Sequence, residues 1–471
     1  MKNTSRKFIV LCLIISSYAS AQTEGTLFFM NSLPQVVYVN PAFVPKYKIS
    51  VGLPGSSIMT GFSNNGFKVK DFISKENGIV TANLNNLYSN LKDKNYITQS
   101  AQIDLLRVSL RVNSKLYLTY NSSIKIFNRL MLPKDIMGIL VEGTTPFIGS
   151  SANAAPKIES LAWMEHAVGG AYSINDKLKI GARVKLLSGI VNATTKNSEL
   201  KLAVDNDTYA ITMSGSMDVR TSGIQNIDRA QFGNIFKNTG FGIDVGATYQ
   251  LLKKLSLSAS ITDLGFIKWK NDTYGYTLDK ATAKYTFKGI DLGEVFNGNS
   301  SYLNSVGDSI QKNFEPKEGV IGSYKSSTPT KIYAGGTYEI VKNFSAGVVL
   351  HSEMFRGRTS AGATLGVVKN FGKWFTLSGT YTMANNSYNN IGLGTSLNLS
   401  PFQFYLVGDN VLRMAFSGKE INNFVNSTKQ FNIRAGLNIV FKWDKGEPKG
   451  SYNQNPETKK RNKKQAGLRS K

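Results

Sequence analysis

Between residues 46 and 441 the chain repeatedly alternates apolar and polar side chains. In 177–186, Leu178, Ile180, Ala182, Val184 and Leu186 oppose Lys177, Lys179, Gly181, Arg183 and Lys185. In 331–340, Ile332, Ala334, Gly336, Tyr338 and Ile340 oppose Lys331, Tyr333, Gly335, Thr337 and Glu339. In 431–441, Phe431, Ile433, Ala435, Leu437, Ile439 and Phe441 oppose Asn432, Arg434, Gly436 and Asn438. A period of two is that of a strand with one face in each of two environments.

Fourteen such segments are predicted: 46–54, 100–111, 115–127, 161–174, 177–191, 239–251, 254–266, 330–341, 344–355, 358–369, 374–384, 389–399, 401–409 and 430–441. The segment 56–63 is an alternative or a partner for the first. Short polar turns recur at Asn113-Ser114-Lys115, Asn175-Asp176-Lys177, Lys253-Lys254, Lys342-Asn343, Gly372-Lys373 and Ser400-Pro401. All six follow even-numbered strands. The long connections 128–160, 192–238, 267–329 and 410–429 follow odd ones. Short turns at one rim and long loops at the other are the pattern of an outer-membrane barrel. The fold class predicted is all-β: a transmembrane antiparallel β-barrel of about 14 strands over 46–441, with small helices in its extracellular loops. An even strand number puts both termini on one side, expected to be the periplasm. Phe266, Trp269, Trp374, Phe375, Phe441 and Trp443 stand near strand ends, where rings favour the lipid–water interface.

Other segments break the alternation. Residues 84–94, with Leu84, Leu87 and Leu91, and the stretch from Pro133 to Glu142 have helical spacing. Two short helices are expected in 291–313, and a projecting hairpin in 198–220. Residues 22–45 contain Pro34, Pro41 and Pro45, which argue against a spanning strand. They read as an irregular plug inside the lumen, with Asn40, Pro41 and Ala42 as its candidate residues.

Residues 1–21 read as an export signal. Lys2, Arg6 and Lys7 precede the apolar run Phe8–Ile15 and the small-residue site Ala19-Ser20-Ala21. Cleavage there removes Cys12, the single cysteine, and with it disulfide and thiolate chemistry. Beyond the signal, no apolar run is long enough for a membrane helix. The net charge of +25 divides into +3 in the signal, +7 in residues 442–471 and +15 between them. Residues 442–471 lack periodicity and are expected to be a basic, disordered periplasmic tail. Lys459, Lys460, Arg461, Lys463 and Lys464 are its candidate partner-binding residues. An exported basic chain is expected to meet outer-membrane lipid, lipopolysaccharide phosphates or an acidic periplasmic or surface protein, and no nucleic acid.

Candidate chemistry is sparse. His166 and His351 are the two histidines, and neither has the spacing of a metal site or a hydrolytic triad. No catalytic residue, metal site or cofactor is predicted. By alternation Arg107, Arg111, Lys177, Lys179, Arg183, Lys185, Lys331 and Arg434 point into the lumen, offset by few acids such as Asp244 and Glu339. Such rings either select anions or pair with plug and loop carboxylates.

Several pieces together resemble a family of exported barrels of unknown function in Bacteroidota. They are Thr26-Leu27-Phe28-Phe29-Met30 through Asn40-Pro41-Ala42-Phe43, Leu91-Lys92-Asp93-Lys94-Asn95-Tyr96, Ser260 to Ile267 with Asp263-Leu264-Gly265-Phe266, Phe402-Gln403-Phe404-Tyr405 and Gly408-Asp409-Asn410. Asn-Pro-Ala and Asp-Leu-Gly-Phe are also similar to PorP/SprF barrels of type IX secretion and gliding. More distantly, the early Asn-Pro-Ala resembles FadL-type transporters. The resemblance implies an outer-membrane barrel and no reaction. The function expected is a non-enzymatic scaffold or component of an envelope complex; the alternative is a FadL-like or porin-like transporter of a small hydrophobic or anionic solute.

Overall fold

The computed structural model describes residues 24–66, 73–76, 79–225, 236–289, 301–384, 387–411 and 429–442. The signal 1–21, Trp443 and the basic tail with Lys459, Lys460, Arg461, Lys463 and Lys464 lie outside them.

Fourteen antiparallel strands close on themselves. In chain order they are β1 (Tyr47–Gly52 and Ser57–Asn64), β2 (Lys94–Arg111), β3 (Leu116–Pro133), β4 (Lys157–Ser173), β5 (Leu178–Val204), β6 (Asn238–Leu252) and β7 (Leu255–Trp269). Then come β8 (Thr330–Val341), β9 (Phe344–Phe355), β10 (Arg358–Phe371), β11 (Phe375–Ala384), β12 (Ser387–Leu399), β13 (Phe402–Asp409) and β14 (Gln430–Lys442). Every predicted strand is present. Both halves of β1 pair with β2 on one side and β14 on the other, so 46–54 and 56–63 are one interrupted strand that forms the closing seam. Closure leaves no unpaired edge, as a lipid-embedded sheet requires.

Alternation sorts the side chains. On β5, Ile180, Val184 and Leu186 are exposed on the outer face, while Arg183 and Lys185 are buried inside. On β10, Leu365 and Val367 face out, while Thr364 faces in. Two of the short turns share a device. The side-chain Oδ1 of Asn113 accepts from the backbone N–H groups of Lys115 and Leu116 at 2.8 and 2.9 Å, and that of Asn175 does the same for Lys177 and Leu178. Asparagine suits such turns because its side chain stands in for a backbone acceptor.

At the long-loop rim several strands outrun their expected lengths. β2 begins at Lys94, and β5 continues to Val204. The far half of β5 pairs with Ile211–Ser222, so the projecting hairpin is present. Thr273–Leu278, Lys284–Phe287 and Lys317–Val320 extend it into an outer sheet. The described helices are α1 (Gly25–Phe29), α2 (Leu84–Asn90), α3 (Lys134–Glu142) and α4 (Ser301–Phe314). A single helix, α4, occupies the part of 291–313 that is described, where two short ones were expected. Trp269 departs from the expected aromatic border. A bulge in β7 turns it inward, where it is fully buried with Phe127, Leu161, Trp163, Leu187 and Ile267.

Residues 24–45 lie inside the barrel. Leu27, Phe28, Phe29, Met30, Leu33 and Val39 pack with the wall residues Tyr333, Val349, Tyr405 and Val407. Inward glycines make room. A Cβ on Gly366 would stand 2.5 Å from the Phe29 ring, and one on Gly181 would strike the backbone of Pro41 and Ala42. A Gly366→Leu replacement is therefore expected to cost about 1–3 kcal/mol of stability by overpacking. The heat-induced mobility shift of the folded barrel on gels reads this out, and an unchanged transition would show that the segment does not sit on this wall.

Candidate functional site

The interior has three layers above the short-turn rim: the N-terminal segment, a belt of charges, and the aromatic cluster around Trp269. The segment is tied to strands on every side. Glu24 accepts from Arg434 of β14 at 2.5 and 3.1 Å. The Thr26 backbone N–H and hydroxyl both donate to Asp409 of β13, at 2.8 and 2.6 Å. Gln35 and Asn438 exchange amide hydrogen bonds at 2.8 and 3.1 Å. Tyr38 donates to Asp104 at 2.8 Å, and the guanidinium groups of Arg183 and Arg434 stand over its ring, at 5.7 and 4.8 Å from the centroid. Cations over an aromatic face are attracted by the ring quadrupole.

The Asn40-Pro41-Ala42 element closes the segment. Asn40 Oδ1 accepts from the Ala42 N–H at 2.8 Å, and its Nδ2 donates to the carbonyls of Ala247 and Ala259 at 3.3 Å. Asn40 and Ala42 are 1% exposed, and Pro41 is buried. Ser260 reaches the Val39 carbonyl at 2.6 Å, and Gln403 reaches that of Ser32 at 3.1 Å. Sequence pieces more than two hundred residues apart thus converge on one seat.

The charge belt lies next to it. Lys185 meets Asp263 at 2.5 Å and Asp244 at 2.7 Å; Arg183 meets Asp244 at 3.1 Å; Lys125 meets Asp263 at 2.8 Å and Glu165 at 2.9 Å. Three cations face three carboxylates, and Asp263 also donates its backbone N–H to Asp244 at 2.7 Å. Arg107 donates to Asn438 at 2.5 Å and stands 3.7 Å from Asp104. Arg111 donates to the Pro45 carbonyl at 2.5 Å. Lys179 and Lys331 are half-buried. Lys177 departs from the alternation-based expectation: it belongs to the turn before β5 and is exposed.

The lumen is not a ring of unopposed base. Arg107, Arg111, Lys125, Arg129, Arg183, Lys185 and Arg434 are buried together with Glu24, Asp104, Glu159, Glu165, Asp244 and Glu353, and Asp263 joins them in the charge belt. Asp244 is inward as alternation predicts, whereas alternation missed Asp104 and Asp263 for a geometric reason. A bulge at Leu105 lets both Asp104 and Arg107 turn inward, although a regular strand would put them on opposite faces. A second bulge, where Asp263 takes a φ of 59°, turns Thr262 and Asp263 inward together. The histidines have hydroxyl neighbours: Tyr120 stands 3.2 Å from His166, and Thr364 stands 3.1 Å from His351. Among the described residues, no group of three or more His, Cys, Asp or Glu could hold a metal ion.

Removing one member of a buried ion pair leaves the other uncompensated, at about 3–5 kcal/mol. Glu24→Ala should therefore free the segment, exposing residues 24–45 to limited proteolysis. Burial alone would raise the Glu24 carboxyl, but the Arg434 guanidinium outweighs it and holds the group below its ordinary 4.5. The contribution is thus complete above that pH and is lost as pH falls through the depressed value. Acid-induced protease sensitivity of 24–45 should disappear as a separate transition in Glu24→Gln, and persistence of that transition would contradict the assignment.

Several solved structures are similar in outline. A deltaS2S3 mutant of the monoaromatic hydrocarbon channel TodX matches with 10% identity and a TM-score of 0.44, over 91% of this chain and 98% of that one. The Ralstonia pickettii toluene transporter TbuX matches with 10% identity and a TM-score of 0.40, over 91% and 97%. A Pseudomonas aeruginosa FadL homologue matches with 10% identity and a TM-score of 0.38, over 91% and 98%. Likeness at these scores carries nothing about a ligand, and the barrel rests on its own strand pairing. No curated protein matches the chain. The model of a family of unknown function, DUF5723, covers residues 41–409, from the Asn-Pro-Ala anchor to the acid that holds Thr26, and the chain belongs to that family.

Proposed function

We propose that this protein is a closed, non-enzymatic barrel that serves as a scaffold in an envelope complex of the secretion or gliding type. One observation carries the reading: residues 24–45 occupy the lumen as a plug, held by β2, β5, β6, β7, β13 and β14 through specific hydrogen bonds and ion pairs. A solute path through such a core would have to break buried charge pairs. In this reading the short turns and both termini face the periplasm. The outer wall meets outer-membrane lipid and lipopolysaccharide, the tail with Lys459 to Lys464 docks an acidic periplasmic partner, and the outer sheet at the long-loop rim offers a surface to a second protein. PorP/SprF-like motifs and a Bacteroidota origin belong to this proposal, as does removal of residues 1–21 on export.

Two measurements test it. Purified full-length protein in planar bilayers should show no steady conductance. Deleting 446–471 should remove partners that co-purify from native membranes. A steady conductance, or an apolar ligand enclosed in the barrel, would favour the transporter of a small hydrophobic or anionic solute instead. An unchanged set of partners after the deletion would remove the role of the tail.

A further inference from the structure

Above the aromatic layer, at the long-loop rim, the barrel opens into a cavity of about 380 Å³. Volumes of about 300–1,000 Å³ are those of small-molecule sites. Six cations line it: Lys94, Arg129, Lys157, Lys201, Arg356 and Arg358. Its two acids are Glu159 and Glu199. Arg129 is engaged by Glu353 at 2.8 Å, and Arg356 by Glu159 at 3.0 Å. Among the described residues, Lys94, Lys157, Lys201 and Arg358 have no carboxylate within ion-pair distance, and Glu199 has no cation. The cup therefore holds a surplus of three positive charges once Glu353 is counted with it.

The cations are positioned by the fold. The turn between β9 and β10 is the two-residue loop Arg356-Gly357, with φ of 48° and 73°. Both residues are left-handed, as a tight hairpin requires. The turn directs Arg356 back over the mouth, onto Glu159, the Thr194 hydroxyl and the Thr195 carbonyl. Arg358 follows at once. Its guanidinium lies 3.5 Å from the centroid of the Tyr96 ring, and its Nη1 is buried with no hydrogen-bond partner. Its Nε donates to the Ser360 hydroxyl at 3.4 Å. Burying a donor without an acceptor is costly, so Nη1, on a side chain that lines the cavity, has a hydrogen bond left to give. Lys94 and Tyr96 come from the Leu91-to-Tyr96 piece, which the N-terminal seat does not use.

We infer that the mouth of the barrel is a binding site for a phosphate monoester of about monosaccharide size, held by Arg358, Lys94, Lys157 and Lys201. A surplus of three positive charges calls for more than one carboxylate's worth of negative charge, which a phosphate monoester supplies in a single group. The guanidinium fork matches its oxygens. Tyr96, Met131 and Phe355 offer apolar contact to the remainder of the ligand. The site lies beyond the aromatic layer and does not depend on whether the lumen below conducts.

Calorimetric titration of the full-length protein in neutral detergent tests this, with glucose 6-phosphate as probe and glucose as its neutral counterpart. Glucose 6-phosphate should bind saturably and glucose should not. Arg358→Gln should raise the Kd at least tenfold. Because Arg358 also packs on Tyr96, Lys157→Gln combined with Lys201→Gln provides a second variant at exposed positions. It should keep the heat-shifted gel mobility of the folded barrel and weaken binding at least threefold. A parallel arm reconstitutes the protein in nanodiscs of phosphatidylcholine with phosphatidic acid and reads retained lipid by native mass spectrometry. Enrichment of phosphatidic acid that is lost in the variants, without binding of glucose 6-phosphate, assigns the phosphate to a lipid. Equal binding of glucose, binding indifferent to both variants, or no binding in either arm overturns the proposal.

Discussion

A closed sheet of fourteen strands encloses more space than its own inward side chains can fill, because barrel diameter grows with strand number and about eight strands mark the limit of self-filling. This constraint organises the rest of the molecule. The gap is closed from the chain's own N-terminal side by a segment too rich in proline to join the wall. The wall accommodates it with glycines under Phe29 and Pro41, and with polar groups that meet its backbone. Burial of Leu27, Phe28, Phe29 and Met30 gives the interior a hydrophobic core of the kind found in water-soluble domains, turned inside a shell that is apolar on its outer surface too.

Electrostatics follow from the same filling. With the segment in place, the charges beside it are taken out of water, and buried charges persist only when paired and hydrogen-bonded. Lys125, Arg183 and Lys185 meet Glu165, Asp244 and Asp263 in balanced number, and Arg434 meets Glu24 on the segment itself. Balance holds deep in the barrel and fails at the mouth, where Lys94, Lys157 and Lys201 reach solvent. A chain with a net charge of +25 thus places unopposed charge where water can solvate it.

Strand positions and the two rims are legible in the sequence, since period-two alternation and turn length both follow directly from residue order. The interior is less so. Its partners are far apart along the chain, as with Lys125 and Asp263 or Glu24 and Arg434, and no local pattern announces them. Two bulges also shift the phase of the alternation, which hid Asp104 and Asp263 and turned Trp269 away from the lipid. β4 hid Glu165 in another way: it carries Leu161 and Trp163 inside and Val168 outside, so polarity does not tell its faces apart. The motifs Asn-Pro-Ala, Asp-Leu-Gly-Phe and Gly-Asp-Asn are visible as words, and the structure gives each a physical task in or beside the seat of the N-terminal segment.

The interrupted first strand gives this seat a consequence for assembly. β1 follows the segment directly, and its two neighbours, β2 and β14, supply Asp104, Arg434 and Asn438 to that same segment. The closing seam and the filling are therefore one event in space. Once the first and last strands have zipped together, no lateral route remains for residues 24–45. The residues that close the ring are thus also residues that grip its filling, and strain at the seam is felt by the segment.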